Sequence, residues 1–307
     1  VESFVRALLG DAEESAALTH ILGRVAEAWS CASEGRRSDA VFAQRIIVRA
    51  LLAEVAQASL AEGLFVMPFG ASFVDALDPQ GSASFPACAE VEILAGESRA
   101  ARVERVLAQR GFQPCLHAAG LWRLEGLPAF VRVSTAACTV APFAIAGDPL
   151  FERGRLVDSP LEQTWRMPAA EDVFAALLAR QGALMLSGRR DPTLDVLREL
   201  CAELSGLRAD DVVLRLGELG LSRLAAVVLC DAPSAVSQAV VQQLALDGVT
   251  GFACEVSCRP MLDARVRGLA TYLLAPSMAA ALRALGARAR VAAKTRGLFT
   301  PFGASGH

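Results

Sequence analysis

Two glutamates, Glu90 and Glu92, flank Val91 on a short apolar run that follows a Gly70-Ala71-Ser72 turn, and no other feature constrains the fold as tightly. Residues two apart on a strand point to the same face of a sheet. The pattern therefore predicts a sheet that carries two carboxylates side by side. Such neighbours either share a divalent cation or repel each other.

Helical patterning surrounds this run. Leu18, Ile21, Leu22 and Val25 recur at helical spacing, and a break over Ser30–Ser38 precedes a helix predicted from Asp39 to Ala61. Asp39 is its candidate N-cap and Gly63 its stop. Leu64–Met67, Val91–Ala95, Phe112–His117, Leu121–Leu124 and Phe130–Ser134 read as strands, the last alternating apolar and polar as a half-buried strand does. Ala71–Leu77 and Glu97–Arg110 read as helix, and Asp78–Ser84 is loop chemistry. Beyond Pro149 the segments 150–157, 171–186, 192–204, 209–219, 221–229, 236–246 and 278–285 are helical in pattern, whereas 248–258 is less regular and leaves room for a short strand. The expected fold class is α/β, with a small mixed-sheet core at 63–147. A helical segment at 1–62 precedes it, and a mainly helical region at 148–307 follows.

A 307-residue chain with 53% hydrophobic and 21% charged residues can build a substantial core. No apolar run reaches the roughly 18 residues of a membrane span, and no basic-apolar signal segment opens the sequence, so a soluble cytoplasmic protein with no membrane partner is expected. A net charge of −3 argues against a general nucleic-acid binder. Charge is nevertheless uneven: Arg283, Arg288, Arg290, Lys294 and Arg296 follow one another with no acid between them. A solvated helix face is the plainer reading, and a docking patch for an acidic partner the sharper one. The eight cysteines have no zinc-finger spacing, and the close pair Cys254 and Cys258 lacks two further ligands nearby, so reduced thiols are expected. Cys88, Cys115 or Cys138 with His117 offers a nucleophile and base with nothing to fix their geometry. No phosphate-binding Gly-Lys-Ser/Thr loop, dinucleotide fingerprint or nucleophile elbow occurs, and Trp29, Trp122 and Trp165 are dispersed.

The order helix, Leu64-Phe-Val-Met-Pro-Phe-Gly-Ala-Ser72, loop, Ala89-Glu-Val-Glu-Ile-Leu94, helix, Arg110-Gly-Phe112 resembles the nucleotidyltransferase superfamily. It is closest to the subgroup found beside ribosomal-peptide natural-product genes. Asp148–Arg153, Met167–Leu178, Asp191–Leu200 and Asp210–Arg223 are similar to the helices that follow the core there, so the resemblance covers residues 40–230. An active member needs a Gly-rich turn for nucleotide phosphates, two acids for Mg²⁺ and a third acid on a neighbouring strand.

Set against that pattern, Phe69 precedes Gly70 where the subgroup has a lysine, and Ser72 completes the turn. Glu90 and Glu92 replace two aspartates. Arg132-Val133-Ser134 stands where an Asp-x-His is expected, and no acid lies between Gly126 and Gly147, the next being Asp148. An arginine facing the glutamates would take the place of the metal charge. The resemblance thus implies an inherited core with a disabled site, with no catalytic residue, no metal and no cofactor. Its ligand-cleft candidates are Phe69, Gly70, Ser72, Glu90, Glu92, Arg132 and Ser134. The subgroup's genomic setting implies a precursor peptide presented to tailoring enzymes, with Arg283, Arg288 and Arg290 as charges for an acidic leader; homodimerisation is left open. The competing expectations are an active Mg²⁺-dependent nucleotidyltransferase using Glu90 and Glu92, or a subunit that serves assembly alone.

Overall fold

The structure, a computed structural model, describes residues 16–31, 40–78, 89–116, 118–158, 164–230, 232, 234–244, 248–258 and 264–298. Two helices come first, α1 (Ala16–Cys31) and α2 (Ala40–Ala61). They share one apolar cluster through Leu18, Ile21 and Val25 on one side and Ile47, Leu51 and Val55 on the other. The expected cap Asp39 lies outside the described residues. Gly63 ends the second helix at φ +67°, a conformation that favours glycine.

The expected strand Leu64–Met67 is an extended segment rather than a full ladder member. Leu94 N donates to Met67 O at 2.9 Å and Phe69 N to Glu92 O at 3.0 Å, with one bridge between Pro68 and Ile93. Pro68 has no N–H to extend the pairing. Helix α3 (Ala71–Leu77) follows, and most of the expected loop lies in residues outside those described. Strand β1 (Glu90–Leu94), helix α4 (Glu97–Gln109) and strands β2 (Gln113–Pro114), β3 (Leu121–Arg123) and β4 (Phe130–Ser134) complete the central sheet. Its order is β1-β4-β3-β2, with β1 and β4 parallel and the other neighbours antiparallel.

Two short strands, β5 (Ala136–Cys138) and β6 (Ile145–Ala146), pair with each other before helix α5 (Gly147–Arg153). Here the structure corrects the expectation of one helix over 150–157. The chain leaves the helix at Gly154 and forms an antiparallel pair, β7 (Arg155–Asp158) and β8 (Thr164–Met167). A Cβ at Gly154 would sit 2.4 Å from Met67 Cε and 3.0 Å from Met167 O, so this glycine lets the chain pass close to the core as it changes state. Arg166 N then donates to Val66 O at 3.0 Å, which joins β8 to the extended segment beside β1.

The rest is helical: α6 (Ala170–Met185), α7 (Pro192–Ser205), α8 (Ala209–Glu218), α9 (Ser222–Val228), α10 (Ala235–Gln243), α11 (Gly248–Cys258) and α12 (Ala264–Thr271). A 3₁₀ turn (Tyr272–Leu274) leads into α13 (Met278–Leu298). The short strand considered for 248–258 is helix α11. Its small and apolar residues fit either state, and packing against neighbouring helices decides. Among the described residues no helix is long and apolar enough to cross a membrane. The fold is mixed α/β with small mixed sheets.

Two apolar clusters flank the central sheet. Val91, Ile93, Val131 and Val133 pack with α1, α2 and α4. Val173 through Ala179 of α6 are fully buried in the other cluster, which unites most of the later helices. The polar parity of β1 and β4 faces this second half. Buried charge also ties α2 to α3. Arg45 donates to Asp75 at 3.0 Å and to Asp78 at 3.2 Å, while Arg49 pairs with Asp75 and donates to the Asp78 carbonyl.

Candidate functional site

Parallel pairing in register sets Glu92 opposite Arg132 and Leu94 opposite Ser134. Residues 90, 92, 132 and 134 therefore share one face, with side chains perpendicular to the sheet. The structure brings the two acids together there as the sequence requires. It supplies two guanidinium groups as well.

Arg132 grips Glu90 with both arms of its fork, Nε to Oε1 at 2.5 Å and Nη2 to Oε2 at 2.9 Å. The hydrogen bonds to Glu90 hold Arg132 above its ordinary pKa. Glu92 is taken by Arg180 of α6, which donates from Nη1 to Oε2 at 2.8 Å and from Nη2 to Oε1. Ser134 Oγ adds a bond to Glu92 Oε1 at 3.2 Å. Burial alone would raise the Glu92 pKa, but the Arg180 charge, its hydrogen bonds and the Ser134 hydroxyl outweigh it and hold the carboxyl below its usual range. Arg180 behaves reciprocally: burial opposes its charge, and Glu92 more than restores it.

Arg180 is fixed at three further points. Its Nε donates to Ala137 O at 2.7 Å, its guanidinium lies 5.4 Å from the Phe69 ring centre, and its aliphatic stem follows the fully buried run of α6. Phe69 and Ser72 are fully buried and act as the floor rather than the wall of the site. Gly70 has φ +57°, and a Cβ there would stand 2.6 Å from Glu92 Oε2, so only glycine leaves room for the carboxylate. Ser72 Oγ accepts from Glu92 N at 2.9 Å. The Ser72 hydroxyl is thus spent on the β1 backbone.

The four charges border a cavity of about 430 Å³ between β4, β5, α6 and α7. Ala136, Ala137, Val140, Ala183, Leu184 and Leu194 form its apolar wall. That volume falls within the roughly 300–1,000 Å³ of ligand pockets. Cys138 also lines the cavity, and burial pushes its thiol up, so it is a neutral wall residue rather than a ready nucleophile. His117 and Cys88 lie outside the described residues, as does the Cys254 and Cys258 side-chain pair.

The donor set does not fit Mg²⁺. A near-octahedral ion needs free carboxylate oxygens, and all four oxygens of Glu90 and Glu92 accept from a guanidinium. Unit charges 4 Å apart interact by about 4 kcal/mol at an effective dielectric of 20, so a divalent ion beside either guanidinium meets about twice that repulsion. No third acid joins them among the described residues. Asp148 instead caps α4, accepting from Glu97 N at 3.0 Å and from Ser98 Oγ at 2.7 Å and pairing with Arg99. The Ser98 hydrogen bond leads the contacts that hold its carboxyl below the usual range.

Arg283, Arg288 and Arg290 sit apart from this cavity, exposed on α13. Arg288 reaches back to donate to Leu186 O at 3.1 Å. Sequence reasoning missed Arg180. Its signal is present: it is the only charge of α6 beyond the first turn, and it follows seven fully buried residues. An arginine so placed requires an anionic or carbonyl partner. Its partner lies 88 positions away, a pairing that only the fold reveals. No protein-family model, curated protein or solved structure matches the chain.

Proposed function

We propose that this chain is a catalytically inactive, nucleotidyltransferase-like binding protein whose cavity takes a segment of a ribosomal precursor peptide and presents it to tailoring enzymes. One observation carries the reading: both glutamates that would hold a metal are gripped by arginine forks. The order of turn, acid strand and partner strand supports descent from a metal-binding core, and the arginines supply the positive charge in its place.

The two ion pairs play different parts. Glu92 and Arg180 are a strut, bidentate to each other and with side chains only 10% and 24% exposed. Glu90 and Arg132 are more open, with side chains 28% and 36% exposed, and offer an acceptor and a donor fork at the cavity mouth. A peptide entering there can exchange a carboxylate for Glu90 on Arg132, while its apolar side chains meet Val140, Leu184 and Leu194. Calorimetric titration with the precursor peptide of the same pathway tests the reading. Saturable heat that weakens in Arg132→Gln supports it; a silent titration removes its basis.

A further inference from the structure

A second pocket lies at the far end of α6 and shares no residue with the first. It is lined by Met185, Gly188, Arg189, Arg190, Val227, Arg267 and Thr271. It forms because Gly268 lets α12 approach the end of α6: a Cβ there would stand 2.3 Å from Leu186 O. That approach brings Arg267 beside Arg189 and Arg190 of the α6–α7 connection.

The three guanidinium groups have no carboxylate partner among the described residues. The Nε of Arg267 is buried with no hydrogen-bond partner there. Asp191, the nearest acid in sequence, accepts from Thr193 N at 2.9 Å as the cap of α7. Arginines commonly gather at a helix C-terminus to offset its dipole, but that end carries only about half a negative charge. Its carbonyls are also already engaged: Leu184 O by Ser187 and Arg189 N–H, Met185 O by Gly188 N–H and the Thr271 hydroxyl, and Leu186 O by Arg288. Arg190 Nη2 reaches Val228 O at 3.5 Å, a neutral carbonyl, so three positive charges and the orphan Arg267 donor remain without an anion among the described residues.

We infer that this pocket is a phosphate site, built to hold one phosphate group, free or carried as a monoester. Its volume of about 60 Å³ has room for roughly four waters, the scale of one tetrahedral oxyanion. Three arginines lining one small pocket favour a doubly charged phosphate over a singly charged carboxylate. The site stands independently of the peptide-binding reading.

The test uses the full chain in chloride buffer at constant ionic strength, titrated with inorganic phosphate, phosphoserine or acetate while thermal stability and heat are recorded. Saturable stabilisation by phosphate, with acetate inert, supports the inference, and removal of one fork weakens it by about tenfold or more. Arg267→Gln probes the buried donor, and Arg189→Gln, at an exposed position, probes the site without threatening the fold. Tighter binding of phosphoserine assigns the group to a larger ligand, and tighter binding of inorganic phosphate assigns a free anion. Stabilisation by acetate equal to that by phosphate, no response to any of the three, or a response unchanged in both variants would overturn the site.

Discussion

Among the described residues, two groups of two acids and two arginines differ in what surrounds them. Arg45, Arg49, Asp75 and Asp78 lock α2 to α3 inside the core, with Arg45 and Asp75 each about 4% exposed. Glu90, Glu92, Arg132 and Arg180 lock β1 to β4 and α6 at the edge of a cavity. In the first group burial wins, and Asp75 is pushed above its ordinary pKa despite Arg45 and Arg49. In the second, the bidentate Arg180 wins, and Glu92 is held low. Equal composition thus yields a structural clamp in one place and an accessible charged floor in the other. Access and hydrogen-bond geometry separate them, not the count of charges.

The largest effect is expected from breaking the clamp. Arg45→Met leaves two buried carboxylates short of their partner and should cost about 3–5 kcal/mol in urea unfolding. Arg180→Met should cost less, about 2 kcal/mol, because cavity water can reach the abandoned Glu92; it should also abolish peptide heat. Equal losses of stability in the two variants would erase the distinction.

Acid titration sharpens the contrast because the signs oppose. Glu92 has a folded pKa below its unfolded value of about 4.3, so its contribution is complete above that value and is lost as pH falls through the folded one. Asp75 has a raised pKa, so its ionisation weakens the fold as pH rises and protonation restores stability on acidification. Between about pH 6 and 3, Glu92→Gln should therefore lose less stability than the parent chain, and Asp75→Asn more. Parallel curves for all three would contradict the assigned shifts.

The smallest stability effect belongs to Arg132→Gln. Its pair with Glu90 is about one-third exposed, and such pairs contribute roughly 0–1 kcal/mol. The variant should unfold like the parent and differ only in ligand binding. A loss near that of Arg180→Met would show that the mouth pair is a strut too.

Much of this architecture is readable along the chain because it depends on short-range patterns. The i, i+2 placement of Glu90 and Glu92 fixes their common face, and the alternation in Phe130–Ser134 identifies the strand beside them. Helix limits at Gly63 and Pro192 follow from backbone chemistry. What escapes is set by distance and by close approach. Gly154 looks like a pause in a helix, yet it passes against Met67 and starts β7. Arg180 announces that a buried charge exists but not that Glu92 is its partner. Arg132 reads as facing both glutamates, whereas the second arginine divides the work, one fork to each acid.

Whether the acid pair is available to a metal decides the account, and a calorimetric titration of the parent chain with Mg²⁺ in the presence of ATP measures it directly. The prediction is no uptake attributable to the pair, with Glu92→Gln indistinguishable from the parent. Stoichiometric Mg²⁺ binding that disappears in Glu92→Gln would contradict it, because the arginine forks would then have given way to the ion.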